Sequence, residues 1–285
     1  MGPAGESEST SGFSASWAAH CGRERLRPYV SDQLKFDEEQ SRAVEATYAT
    51  QDVVRQRWAT LAALEPRTGE RVLDIGCGPG YLAAEIAELV GPEGFVQGVD
   101  PSPAMLAIAA RRALPHMELT EGDALTLPAE DDSFDAAVST QVYEYVPDIS
   151  AALVEVRRVL RPGGRLLVLD TDWDSIVWRS SDDARMERVL RAWEEHLAHP
   201  RLPRVLPSLL REAAFRLRTS AVVPVLNVGY EPETYSANVL AMIADFVSGR
   251  HGITAEEAAA WADDLRALGG DYFFSLNRYV FVATA

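Results

Sequence analysis

Residues 72–80 read Val72-Leu73-Asp74-Ile75-Gly76-Cys77-Gly78-Pro79-Gly80: a short apolar run carrying one aspartate, then glycine at three alternate positions. Such a run is a buried strand that breaks into a sharp turn and enters the helical segment Leu82–Val90. Glycines there let the backbone bend tightly and let a ligand approach the main chain. The dinucleotide fingerprint Gly-x-Gly-x-x-Gly places its third glycine one residue later and seats a pyrophosphate on the helix N-terminus. In this chain the third glycine comes early and Asp74 sits two residues before the first. A carboxylate just inside the turn suits a ligand that carries an ammonium group.

On either side of this unit the pattern extends. Residues 95–100, 117–120, 135–140 and 165–170 are apolar strands, separated by a helix from Pro103 that Ser102 caps and by a helix over 149–160. Strand-like stretches at 216–226 and at the C-terminus bring the count to seven. The alternation predicts a Rossmann-like, doubly wound, mostly parallel seven-stranded α/β sheet covered on both faces. The flanks divide into a polar tail over 1–30, two N-terminal helices over 31–66, and one domain over 67–285. In the second N-terminal helix Val54, Trp58, Leu61 and Leu64 form one stripe. Two helical inserts, about 172–205 and 231–269, leave the βα alternation after strand ends. They are expected as lids over the carboxyl edge of the sheet, where α/β proteins bind ligands.

Composition narrows the function. The chain has 285 residues, with 27 Lys+Arg against 43 Asp+Glu and a net charge of −16. That balance repels phosphate backbones and disfavours a nucleic-acid partner. Two cysteines, Cys21 and Cys77, build neither a disulfide framework nor a Cys-rich metal site, and no metal ligands are assigned; the acids after the strand ends leave a base, an amine-binding group or a divalent-cation ligand as alternatives. The N-terminus lacks a basic start and an apolar core, and no apolar run is long enough to span a bilayer; a cytoplasmic protein without a membrane partner is expected.

The ordered motifs resemble the class I S-adenosylmethionine-dependent methyltransferases over residues 72–170. Asp74 with Gly76 and Gly78 matches the family's first motif. Asp100, 24 residues after Gly76, matches the acid that accepts the ribose hydroxyls, with Pro101 and Met105 following. Asp123 and Ala124 match the position that offers a carboxylate and a backbone N–H to adenine. Gln141, past the fourth strand, matches the residue whose backbone meets the methionine moiety, and Arg161-Pro162-Gly163-Gly164 matches the turn before strand five. The resemblance implies S-adenosyl-L-methionine as cofactor; Arg57 and Tyr48, on the helices before the sheet, are placed to close over its carboxylate, with packing beside the core as the alternative.

The layout, including Val146-Pro147-Asp148, is most similar to the small-molecule methyltransferases, among them enzymes of quinone biosynthesis. It is loosely similar to arsenite methyltransferases, which need more metalloid-binding cysteines than this chain has. The Asn-Pro-Pro-Tyr motif of nucleobase amino-methyltransferases is replaced here by Ser139-Thr140-Gln141-Val142-Tyr143. Methyl transfer to carbon, oxygen or nitrogen of a small acceptor is therefore expected, and a cofactor-binding cyclase or isomerase is the alternative. Position after the strands makes Glu144 and Asp172 candidate catalytic residues; His196, on the first insert helix one turn from Trp193, is a third as a base, and Tyr143, Tyr145 and Trp173 are expected to line the acceptor pocket. Tryptophans in the inserts, Trp178, Trp193 and Trp261, are expected to make that pocket apolar.

Overall fold

The computed structural model describes residues 45–285; the tail over 1–30 and the first of the two N-terminal helices lie outside the described residues. The described chain begins in a helical turn, residues 45–48, and continues into α1 (Gln51–Leu64). Strands and helices then alternate as β1 (Arg71–Ile75), α2 (Tyr81–Val90), β2 (Phe95–Asp100), α3 (Pro103–Ala109), β3 (Met117–Glu121), β4 (Phe134–Thr140), α4 (Ile149–Val159) and β5 (Leu160–Thr171). After β5 come β6 (Val177–Trp178), α5 (Asp183–Trp193), α6 (Leu206–Glu212), β7 (Arg216–Val228), α7 (Tyr235–Val247), α8 (Ala255–Ala267) and β8 (Phe273–Thr284).

β1 to β5 are parallel in the order β3-β2-β1-β4-β5, so the order reverses beside β1 and opens a crevice at the carboxyl ends of β1 and β4. β8 runs antiparallel to β5. Because β7 pairs with β8 along its whole length, the two-residue β6 shares the other edge of β8 with β5. Seven full strands match the expected sheet, and β6 is an eighth. The ladder from β4 to β5 pairs Phe134 with Leu160 and resumes at Ala136 with Arg165, leaving the Arg161–Gly164 turn as an irregularity inside β5.

Alternate residues of each central strand feed two cores. Leu73, Ile75, Ala137, Leu166 and Val168 pack against α4 and α6. Val72, Val96, Val138, Leu167 and Leu169 pack against α2 and the end of α1. A third core belongs to α5, α7 and α8, where Trp178 meets Trp261 and Phe274 edge-to-face at 5.6 and 4.8 Å. Trp178 and Trp261, expected to line a pocket, therefore pack against each other, and Trp193 packs on Trp173, His196 and Phe246. The Thr254 hydroxyl accepts the amide of Glu257 at 3.1 Å and caps the start of α8. Among the described residues no helix is long and apolar enough to cross a membrane.

One expected face is wrong. Trp58 is 62% exposed, whereas Val53, Gln56, Arg57, Thr60 and Leu64 are buried. α1 turns a partly polar face inward because that face covers the polar carboxyl edge of the sheet.

Candidate active site

The turn after β1 is shaped by two close approaches. Gly76 has φ +70°, and a Cβ there would stand 2.3 Å from Val142 Cγ2. Gly80, at φ +79°, presses the start of α2 against Ala109 of α3. Only glycine meets both conditions, and the result is a tight backbone turn free of side chains at the crevice. Across it Gln141 adopts φ +57°, a rare conformation for a side chain-bearing residue, with its amide on the Leu169 carbonyl at 2.7 Å.

Two carboxylates face this turn. Asp74 is buried and its Oδ2 has no partner among the described residues. Burial first, and Asp100 second, push its pKa up to about 7, while the Ala83 amide pulls it down. Asp100 accepts the amides of Gly78 at 2.8 Å and Ser102 at 2.9 Å. Burial raises its pKa and those two amides lower it. Two neighbouring buried acids with a free oxygen between them suit a cationic ligand, which is what an ammonium-bearing nucleoside presents. Ala124 and Met105 are buried at the margin, and Pro101 is exposed. Asp123 spends Oδ1 on the amides of Leu125 and Thr126, fixing its own turn. Cys77 is buried against Gly98, with its thiol pushed up by burial and by Asp74 and Asp100, so it is packing and not a nucleophile.

Tyr48 closes one side, its hydroxyl beside Gly78 and its ring stacked on Tyr81 at 6.4 Å. Arg57 is not open to a ligand in the expected way. Nε donates to Glu85 at 2.9 Å and Nη1 to the Tyr48 carbonyl at 2.7 Å. It braces the segment that carries Tyr48.

Beyond the ends of β4 and β5 lies a second acid pair. Glu144 is fully buried; Oε2 accepts Trp173 Nε1 at 3.0 Å and Oε1 has no partner among the described residues. Its carbonyl is held by the amides of Ala198 and His199 from the first insert. Asp170 is also fully buried. Burial raises both pKa values, Glu144 raises Asp170 further, and Arg278 lowers Glu144. Tyr145, Tyr48 and Tyr235 lie around this pair, and burial followed by Glu144 raises the Tyr145 phenol.

Other expected residues do different work. Asp172 is held bidentately by Arg204 at 2.7 and 2.9 Å and accepts the Asp174 amide, so it is neutralised and structural rather than a free base. His196 sits among Trp193, Trp173, Tyr145 and Phe246, with Nδ1 on the Trp193 carbonyl. Burial pulls its pKa down to about 3, which leaves it a neutral core ring. Tyr143 is fully buried in the layer under α4, near Asp170. Trp173 is buried and serves as the donor to Glu144.

Two residues of this region went unread in the sequence, Gln56 and Arg278. A lone arginine inside the apolar run of β8 is the signal that marks the second.

Residues 72–164 match the model of the family described as methyltransferase domain. The chain is 38% identical over 255 residues to an uncharacterized 37.1 kDa protein in transposon TN4556 of Streptomyces fradiae, covering 83% of this chain and 69% of that protein. It is 44% identical over 109 residues to a 2-phytyl-1,4-naphtoquinone methyltransferase of Synechococcus elongatus, 36% of this chain and about half, 47%, of that protein's length. The fold is shared with the Haemonchus contortus phosphoethanolamine N-methyltransferase 2 solved with S-adenosyl-L-methionine, at TM-score 0.57 and 20% identity over 92% of this chain and 60% of the other.

Proposed function

The chain belongs to the class I S-adenosylmethionine-dependent methyltransferases, and on that premise we propose that it methylates a small molecule whose proton Glu144 removes. S-adenosylmethionine supplies an electrophilic methyl group on a sulfonium, so the protein's task is alignment, exclusion of water and management of the acceptor's proton. Asp74 and the backbone of Gly76 and Gly78 would hold the ammonium end. Asp100 would take the ribose hydroxyls, Asp123 through Oδ2 and the Ala124 amide the adenine, and the backbone at Gln141 the methionine moiety.

Glu144 is the observation that carries the acceptor chemistry. It is a buried carboxylate with one oxygen fixed by Trp173 and the other unpartnered. Burial weakens its acidity and so strengthens it as a base, and with Asp170 close by only one of the two ionises readily. A phenolic, enolic or carbon-acid acceptor needs such a base; an amine that is already neutral does not. The quinone methyltransferases among the relatives and the charge of −16 favour a small acceptor over a polynucleotide. A cytoplasmic setting goes with this reading.

Calorimetry with S-adenosylhomocysteine and with NAD tests the cofactor; binding of NAD alone overturns it. Mass spectrometry on phenolic and enolisable metabolites with S-adenosylmethionine tests the reaction. Methylated product with stoichiometric S-adenosylhomocysteine is expected. Product of unchanged mass, formed without S-adenosylhomocysteine, would show the cyclase or isomerase reaction instead.

A further inference from the structure

Arg278 is a charged residue in the middle of an apolar strand. It stands on β8 opposite Thr171 of β5 and Val223 of β7 and is fully buried. Nη1 donates to Gln56 Oε1 from α1, and the guanidinium lies 4.3 Å from the centre of the Tyr235 ring of α7. Asp52 of α1 accepts the Tyr235 amide at 3.0 Å, so the two helices that bracket the arginine are themselves latched together. Nε and Nη2 are buried and have no acceptor among the described residues. A guanidinium taken out of water is unfavourable unless its donors are met; Glu144 is a nearby opposite charge, yet Nε and Nη2 are left without an acceptor among the described residues.

The free atoms are informative. Nε–H and the Nη2–H beside it form one edge of the guanidinium, two parallel donors spaced for the two oxygens of a carboxylate. Arg278 stands beside residues of the candidate site. Arg278 is close enough to Glu144 and to Tyr48 to shift the ionisation of both. Thr171, its partner across the ladder, has a buried hydroxyl without a partner among the described residues.

We propose that Arg278 is a carboxylate-binding residue of this site, its Nε/Nη2 edge receiving a ligand carboxylate. The inference rests on the methyl-transfer reading above. Two ligands present that chemistry: the amino-acid end of the cofactor, and an acidic acceptor whose other group meets Glu144. The residue then sets either how the cofactor is anchored or which acceptors are accepted.

The test compares wild-type protein with R278Q and R278K, each checked for cooperative unfolding; R278K keeps the charge but loses the fork, and alone decides if R278Q does not fold. Affinity is measured for S-adenosylhomocysteine and for 5′-methylthioadenosine, which lacks the amino-acid end. Acetate and benzoate are then titrated beside acetamide and benzamide with S-adenosylhomocysteine bound. If the cofactor supplies the carboxylate, the variants bind S-adenosylhomocysteine tenfold to a hundredfold more weakly and 5′-methylthioadenosine equally well. If the acceptor supplies it, both nucleosides bind normally, and wild type alone binds the carboxylates over their amides. Unchanged nucleoside affinities in a folded variant, with no carboxylate preference in wild type, overturn the inference and leave Arg278 as a fixed counter-charge to Glu144. Absence of S-adenosylhomocysteine binding by wild type overturns instead the reading on which it rests.

Discussion

Asp100 accepts the amide of Gly78 at 2.8 Å across 22 residues of chain, tying the end of β2 to the glycine turn after β1. The acid that the motif assigns to a ligand is thus also the strut of the loop that would hold that ligand.

Replacing it therefore has two effects. Asp100→Asn is expected to weaken S-adenosylhomocysteine tenfold to a hundredfold, the scale of a lost charge-assisted hydrogen bond. It should also speed amide exchange over residues 76–80 and 101–105 in the free protein. Calorimetry and hydrogen exchange read the two separately. Weaker binding with unchanged exchange would show that the strut is dispensable.

Asp74 makes stability depend on pH with a definite sign. Its pKa of about 7 lies above the ordinary 3.8, so the folded state holds this proton longer than the unfolded one. The group's contribution is present below about pH 4 and is lost as pH rises through about 7, at no more than about 1.4 kcal/mol per pH unit. Asp74→Asn without cofactor should gain stability relative to wild type between pH 4 and 8. At pH 6, binding S-adenosylmethionine to wild type should release up to about one proton, seen by calorimetry in buffers of different ionisation enthalpy. The variant should release none.

Glu144→Gln should lower the methyl-transfer rate roughly a hundredfold to ten-thousandfold with cofactor affinity intact. In wild type the rising limb of the pH–rate profile should sit above the ordinary glutamate value, and the variant should lack it. A profile that persists in the variant would assign the proton transfer to another group.

His196 separates catalysis from packing. His196→Ala removes a buried ring among four aromatic neighbours and should destabilise the fold by about 2–5 kcal/mol. The pH profile of the surviving activity should not move, because the ring is neutral over the working range. A shifted limb would return the residue to the reaction.

The strands and the cofactor turn were legible because their causes are local. Residues 71–75 and 95–100 are apolar runs bounded by turn residues, and their ends in the structure coincide with those runs. The inserts were legible as helices but not as a packed layer, since nothing in Trp178 or Trp261 announces that each will meet the other. α1 was misread because apolar periodicity locates the side facing a hydrophobic core. Its buried side carries Gln56 and Arg57, which face polar groups.

The parallel sheet and the order of the motifs were already written in the sequence, because they follow from periodicity, glycine spacing and chain order. The ionisation of each acid was settled by folding. Asp172 and Glu144 look alike beside their strand ends, yet Arg204, 32 residues along the chain, pairs with one, and burial beside Trp173 raises the pKa of the other. Ionisation depends on solvent and on charges brought close by folding, and both are set by contacts that a linear pattern does not contain.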